Sequence, residues 1–366
     1  MLELLLPDGW KEAAKEQGAM QRARYVKEPA VLLRMLLFHA ANKGSLRETT
    51  ARFAAAGIAR MSAVALLLRL RTSERWLSWI CTRLCEQFRA ECSVPNGYRV
   101  RAVDSTTVQG PASKGTDWRV HYALDLKTMT CDWFEVTDAH GGERLERTPT
   151  ARGDVLIADR NYLRPAAIQA VVDNGAHLLV RMRWSHSELF DANGARFSAL
   201  EHARSLKVGQ VADCSVRTVR PGGAEIAGRV VITRLPSEVA LKAERRLLKA
   251  AKKKSKTVDP RSLEACHFVM LFTTLPKEVL GSLDTLELYR YRWQIELAFK
   301  RLKSLLQLDG LRHTEPRSAR TWLMAKLTLA LLLEMLRRNC DAFFPWGYQT
   351  GKISQQQGFG QHQAAI

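Results

Sequence analysis

YRVRAVDST, residues Tyr98–Thr106, is where the pattern of the chain changes. Apolar and polar residues alternate along it, the period of a half-buried strand, and the run ends at an acid, Asp104. Downstream, WRVHYALDL and CDWFEVTDA read as two further strands joined by the short KTMT turn, so the three make an antiparallel meander. A helical or loop stretch, GGERLERTPTARG, leads to VLIADRNY, whose apolar run VLIA again ends at an acid, Asp159. Pro165 opens a helix stopped by Gly175, and HLLVRMRW returns to strand. Three antiparallel strands followed by helix, strand, helix and strand describe a mixed α/β sheet. Open sheets of that kind place functional acids at the ends of strands.

Upstream of Tyr98 the chain reads as helical. Pro29 starts AVLLRMLLFHAA, which stops near Gly44. Ser45 with Glu48 three residues on forms a capping box for a helix ending at Gly57, and Ser62 opens another through Arg71. Two short helices broken by glycine resemble a helix-turn-helix, although AVALLLRL is too apolar to lie in a DNA groove. Trp76, Trp79 and Ile80 belong to a further helix packed inward.

Residues 186 to 265 interrupt the α/β pattern with hairpin material, VGQVADCSVRTV and IAGRVVITRL, split by Pro-Gly-Gly. Then comes a basic run, Leu241 to Lys256: Lys242, Arg245, Arg246, Lys249, Lys252, Lys253, Lys254 and Lys256 against the single acid Glu244. It reads either as a solvated linker or as a contact to DNA phosphates. HFVMLFTTL is a strand again, and Trp322 to Arg338 a final apolar helix. The Gln- and Gly-rich end reads as a loose tail.

The bulk composition narrows the partners. With 56 basic and 37 acidic residues the chain carries a net charge of +19, which calls for a polyanion. No stretch reads as a signal peptide, and Leu323–Leu336 is too short and too interrupted, by Lys326 and Glu334, to span a bilayer. Nucleic acid therefore leads over a membrane. Seven scattered cysteines, an odd number, fit a reducing cytosol. Cys81, Cys85 and Cys92 lack a histidine or a second CxxC pair and read as helix-core residues rather than a zinc site.

The chemistry concentrates in YRYRWQIELAFKRLK, Tyr289 to Lys303. On one helix, at about 100° per residue, Tyr289, Arg292, Glu296 and Lys303 fall within an arc of about 60°. Tyr291, Ile295, Ala298, Leu302 and Leu306 form an apolar stripe beside it. Together with Asp104 and Asp159, Glu296 completes three carboxylates. Clustered carboxylates need divalent cations to hold them, and a pair of hard cations is what in-line phosphoryl displacement uses.

The spacing Tyr-x2-Arg-x3-Glu-x6-Lys at Tyr289, Arg292, Glu296 and Lys303 resembles the signature of the insertion-sequence-four family of bacterial DDE transposases. A chance match anywhere in a chain of this length is on the order of 10⁻³. VDST around Asp104, GDVLIADRNY around Asp159 and LRH at 311 to 313 resemble that family too, in its order and with its β-rich insertion before the glutamate. The resemblance covers about residues 98 to 340.

It implies a ribonuclease-H-like mixed sheet with helices, interrupted by the insertion and preceded by an all-α domain. The expected division is a helical DNA-binding domain at 1–95, a catalytic domain at 98–185 and 266–345, the insertion at 186–265 and a flexible tail at 346–366. Asp104, Asp159 and Glu296 would be catalytic and would bind two Mg²⁺ ions, replaceable by Mn²⁺. Tyr289, Arg292 and Lys303 would grip DNA. Hairpin-forming relatives carry a tryptophan where this chain has Phe268, so Phe268 reads either as a less extensive stacking residue or as a core strand residue. The implied activity is hydrolysis at transposon ends followed by 3′-OH strand transfer into target double-stranded DNA. A homodimer would carry it out in the bacterial cytoplasm, at the nucleoid when bound to DNA. The alternatives are a catalytically silent DNA-binding derivative and a nuclease that cuts without joining. His140 and Glu143 read as a turn histidine and a solvated glutamate.

Overall fold

The structure is a computed structural model and describes residues 2–21, 26–90, 97–185, 189–219 and 225–343. The expected tail at 346–366 and Cys92 lie outside the described residues. In chain order the helices and strands begin with α1 (Trp10–Glu16), α2 (Pro29–Ala41), α3 (Leu46–Ala55), α4 (Ala63–Thr72) and α5 (Glu74–Ala90). Then come β1 (Arg99–Val108), β2 (Trp118–Asp125), β3 (Thr130–Asp138), β4 (Asp154–Ala158), α6 (Pro165–Asp173) and β5 (His177–Arg181). The middle holds β6 (Leu189–Phe190), α7 (Ala199–Arg204), β7 (Val211–Val219), β8 (Glu225–Arg234), α8 (Ser237–Lys253) and α9 (Pro260–Glu264). The chain closes with β9 (Phe268–Thr273), α10 (Ser282–Arg290), α11 (Trp293–Ser304) and α12 (Pro316–Phe343).

These elements form two compact units. The first takes Met1–Gly97, Arg101–Glu143 and Trp293–Phe343. Its helix starts are set by the residues expected to cap them: Ser45 Oγ accepts from Glu48 N and Ser62 Oγ from Ala65 N, each at 3.1 Å. Gly57, at φ +69°, ends the α3 segment, a conformation a side chain would resist. β1, β2 and β3 are an antiparallel meander in which Asp104 pairs with Tyr122 and Tyr122 with Phe134. One hydrophobic core joins Leu33, Trp76 and Leu84 of the N-terminal helices to Val120 and Tyr122 of β2 and Leu323 of α12. The N-terminal helices thus share a unit with the meander, where a separate helical domain was expected.

The second unit holds Tyr98–Val100 and Arg144–Arg292. Its strands run in the order β4-β5-β9-β8-β7-β6. β4 and β5 are parallel, with α6 as their connection, and the remaining pairs are antiparallel. β4 and β5 read as continuous apolar runs because both faces are covered: Val155 to Ala158 and Leu178 to Val180 are all buried. The insertion is a continuation of this sheet through the β9–β8 ladder, not a set of strands standing apart.

Buried Arg229 of β8 ties the insertion to α10. It donates to Asp213 Oδ2, to the Leu275 and Leu280 carbonyls and to Thr285 Oγ1. Ser282 Oγ donates to the same Asp213 oxygen at 2.6 Å. A buried guanidinium is tolerable only with this degree of pairing.

Three expectations are corrected. Asp104 lies in the middle of β1, not at its end, because Ser105, Thr106, Thr107 and Val108 continue the ladder against β2. Tyr289 to Lys303 is not one helix: α10 ends at Arg290 and α11 begins at Trp293. Between them the Tyr291 and Arg292 amides bond back only three residues, to Leu288 and Tyr289, which tightens the turn and ends the four-residue ladder. The basic run is not a linker but most of helix α8.

Candidate active site

Asp104 is a half-buried carboxylate on a largely apolar sheet face. Side chains alternate along β1, so Asp104 shares its face with Ala102, Thr106 and Val108, all buried. Directly paired residues on neighbouring strands point the same way, which puts Tyr122 on this face as well. Phe299 of α11 meets Tyr122 edge-on, with centroids 5.8 Å apart and planes at 68°. The helix bearing Glu296 therefore covers the sheet face that bears Asp104.

Within α11 the expected division of faces holds. Ile295, Ala298, Phe299 and Leu302 are buried, while Glu296 is exposed and Lys303 half-buried. Seven residues apart, Glu296 and Lys303 lie within about 20° of one another and about 10 Å apart along the axis. Tyr291, expected in the apolar stripe, is 38% exposed because it sits in the turn before α11.

Beside Asp104 is a polar cluster that sequence reasoning missed. Ser105 N donates to Asp104 Oδ1 at 2.8 Å. Ser105 Oγ and Arg119 Nη1 both donate to Glu143 Oε1, at 3.0 and 2.8 Å, and Arg119 Nη1 also reaches Ser105 Oγ. Glu143 is thus a fixed partner of the strand carrying Asp104 rather than a solvated residue. The only sequence signal was its place just before the second strand acid. His140 is a turn residue, its amide donating to Asp138 Oδ1.

The second unit brings together a different set. Asp159 immediately follows β4 and its carbonyl accepts from Tyr162 N at 3.0 Å. Ala158 pairs with Val180, so Asp159, just after β4, and Arg181, the last residue of β5, lie at the same level of two adjacent parallel strands. Tyr289, near the end of α10, joins them. Its burial, together with the Asp159 charge, outweighs Arg292 and Arg181, and the phenol is pushed up to about 12. It stays protonated, a hydrogen-bond donor, throughout the physiological range. Asp159, Arg181, Tyr289 and Arg292 form one electrostatic group. Arg181 was not anticipated.

Phe268 begins β9 and is only 4% exposed, with the Arg234 guanidinium 5.7 Å from its ring centre. Its faces are covered by protein in this arrangement.

Asp104 and Glu296 belong to the first unit, and Asp159 to the second. Within either unit, among the described residues, no three His, Cys, Asp or Glu side chains are grouped to hold a metal ion. The acids offer oxygen donors alone, none fully buried, which suits a hard cation such as Mg²⁺ or Mn²⁺ and not zinc. Cys81 and Cys85 are buried in α5, as expected of core residues.

Residues 95–333 match the family described as the transposase DDE domain. The chain belongs to that family and is an enzyme of the DDE transposase class. It is 35% identical over 334 residues to the transposase for insertion sequence element IS421 of Escherichia coli, covering 90% of each chain. The same identity, over 333 residues and 90% of each chain, relates it to InsL of insertion sequence element IS186A of Escherichia coli (strain K12). The transposase for IS231F of Bacillus thuringiensis subsp. israelensis is 21% identical over 282 residues, 68% of this chain and 59% of that one. No helix among the described residues is long and apolar enough to cross a membrane.

Proposed function

We propose that the protein cuts DNA at the ends of an insertion sequence and joins the freed 3′-OH to target DNA, with Asp104, Asp159 and Glu296 as its metal-binding carboxylates. The observation that carries this reading is the location of two of them: the Glu296 helix covers the apolar sheet face from which Asp104 projects. A carboxylate on such a face costs stability without a function to retain it. Asp159, beside Tyr289 and Arg292, supplies the third acid and the beginnings of a phosphate grip.

Bound by the three acids, two divalent cations would supply the Lewis acidity for in-line displacement at phosphorus. The chain's own residues do the rest. The Tyr289 phenol, protonated at neutral pH, donates to a phosphate oxygen. Arg292 and Lys303 neutralise phosphates flanking the cut, Arg292 with its planar fork and Lys303 as a point charge. Arg119 and Glu143 hold the Ser105 side chain beside Asp104. Phe268 enters as a base-stacking residue on condition that DNA binding uncovers its ring. We assign the working form as a homodimer across paired ends in the bacterial cytoplasm, with residues 1–95, 98–185 with 266–345, and 186–265 as its functional segments.

The test is cleavage of duplexes carrying the repeats that flank the gene, in Mg²⁺ and in Mn²⁺. Asp104→Asn, Asp159→Asn and Glu296→Gln should each abolish strand cleavage and leave binding of the same duplex intact. Normal cleavage by any one variant removes that residue from the site. A wild-type chain that binds the ends but cuts in neither metal is a silent derivative.

A further inference from the structure

Helix α8 carries a cationic face that the reaction above leaves without a role. Of its 17 residues, Lys242, Arg245, Arg246, Lys249, Lys252 and Lys253 are all exposed. At about 100° per residue they span an arc of about 120°, and Lys242 and Lys253 are about 16 Å apart along the axis. The opposite side is the one that packs. Ala240 is buried, Ala243, Leu247 and Ala251 are half-buried, and Glu244 Oε1 is 2.7 Å from His267 Nε2 in the turn before β9. The helix is thus anchored along one side and presents only cations, after the Glu238 of its first turn, along the other.

Among the described residues none of the six cations has a side-chain hydrogen bond or an ion pair. Other surface arginines of the same unit do: Arg204 with Glu264, Arg217 with Glu225 and Arg261 with Asp259. Six unneutralised charges held about 16 Å end to end repel one another, at a cost a polyanion would remove.

We propose that this face of α8 docks on the sugar-phosphate backbone of duplex DNA, without reading sequence. The proposal rests on the DNA-cutting function above. Duplex DNA carries one charge per about 1.7 Å of axis, a density that six cations over about 16 Å complement. Four of the six are lysines, which contact phosphates but lack the bidentate fork that reads guanine. A membrane surface is disfavoured because the side opposite the cations is already packed on protein. Leu241 and Leu248, the exposed leucines of α8, lie at one edge of the arc.

The test is binding of a 30-base-pair mixed-sequence duplex without element ends, as a function of salt, by the wild-type chain and by Lys242→Gln/Arg246→Gln/Lys249→Gln/Lys253→Gln. Glutamine keeps helix propensity, and circular dichroism checks the fold. The variant should bind on the order of 10- to 100-fold more weakly at 0.1 M salt, with the slope of log K against log salt reduced by about 3 to 4. The loss should be equal for unrelated sequences. Arg204→Gln/Arg217→Gln/Arg261→Gln, which removes charges already paired, should leave the slope unchanged. A wild-type slope in the quadruple variant overturns the proposal, as does a loss confined to one sequence. So does a loss seen only on phosphatidylglycerol vesicles, which would give the face to a membrane surface. End cleavage by the wild-type chain, measured in parallel, separates failure of this proposal from failure of the function it rests on.

Discussion

The ring of Phe299 meets that of Tyr122 edge to face at 5.8 Å, and Tyr122 is the cross-strand partner of Asp104. This aromatic contact joins the Glu296 helix to the sheet face that holds the first acid, beside the buried Ile295, Ala298 and Leu302. Phe299→Leu keeps the site apolar but removes the edge contact, and should cost about 1 to 2 kcal/mol. If that contact positions Glu296, the cleavage rate should fall at least tenfold while affinity for end DNA is unchanged. Tm and single-turnover cleavage, measured together, check this. A rate that tracks Tm alone would reduce Phe299 to a packing residue.

Arg101 and Asp132 form an ion pair on β1 and β3 with side-chain exposures of 0% and 1%. Asp132→Leu alone strands a buried guanidinium and should destabilise by about 3–5 kcal/mol. Arg101→Met with Asp132→Leu should recover most of that, since neither charge is left unpaired. Urea unfolding of the two single variants and the double gives the coupling directly.

Glu334 of α12 lies against buried Cys131, whose amide donates to its Oε2 at 3.2 Å. Burial pushes its carboxyl up to about 7. Between the ordinary value of 4.5 and about 7 the folded chain holds a proton that the unfolded chain has released, so raising the pH through this window favours unfolding. The cost is absent below the window and complete above it. Glu334→Gln should thus gain Tm relative to wild type as pH rises from 5 to 8. A difference in Tm independent of pH would show that the folded carboxyl titrates normally.

Arg229 joins β8 to the start of α10, the helix that carries Tyr289 near its end. Arg229→Met leaves Asp213 with the Ser282 hydroxyl but no cation, and should destabilise by about 3–5 kcal/mol. At a temperature where the variant is still folded, its affinity for end DNA should fall through displacement of Tyr289 and Arg292. Adding Asp213→Leu should restore Tm without restoring affinity. Recovery of both would show that charge burial alone was at stake.

How far the fold could be read from the residues depended on how local each cause was. β1, β2, β3, β4 and β5 follow from alternation or short apolar runs, and the α3 and α4 starts follow from Ser45 and Ser62. Acids on β1 and after β4 could be singled out because the first belongs to an alternating stretch and the second follows the apolar run VLIA. The break at Tyr291–Arg292 could not, since no glycine or proline marks it. α8 was hidden by its own composition: like charges a turn apart disfavour an isolated helix, and what holds it is packing against the turn at His267, which is remote in sequence. Arg119, Arg181 and Glu143 gain their roles only from strand register, which no local pattern of three residues reveals.

The β9–β8 ladder also bears on how such a chain can be shortened over evolution. Trimming the insertion would expose the open edge of β9, an unpaired strand prone to pairing with other chains. It would also strip the Leu275 and Leu280 carbonyls of their Arg229 donor. A deletion here should therefore need a second change that recaps the strand.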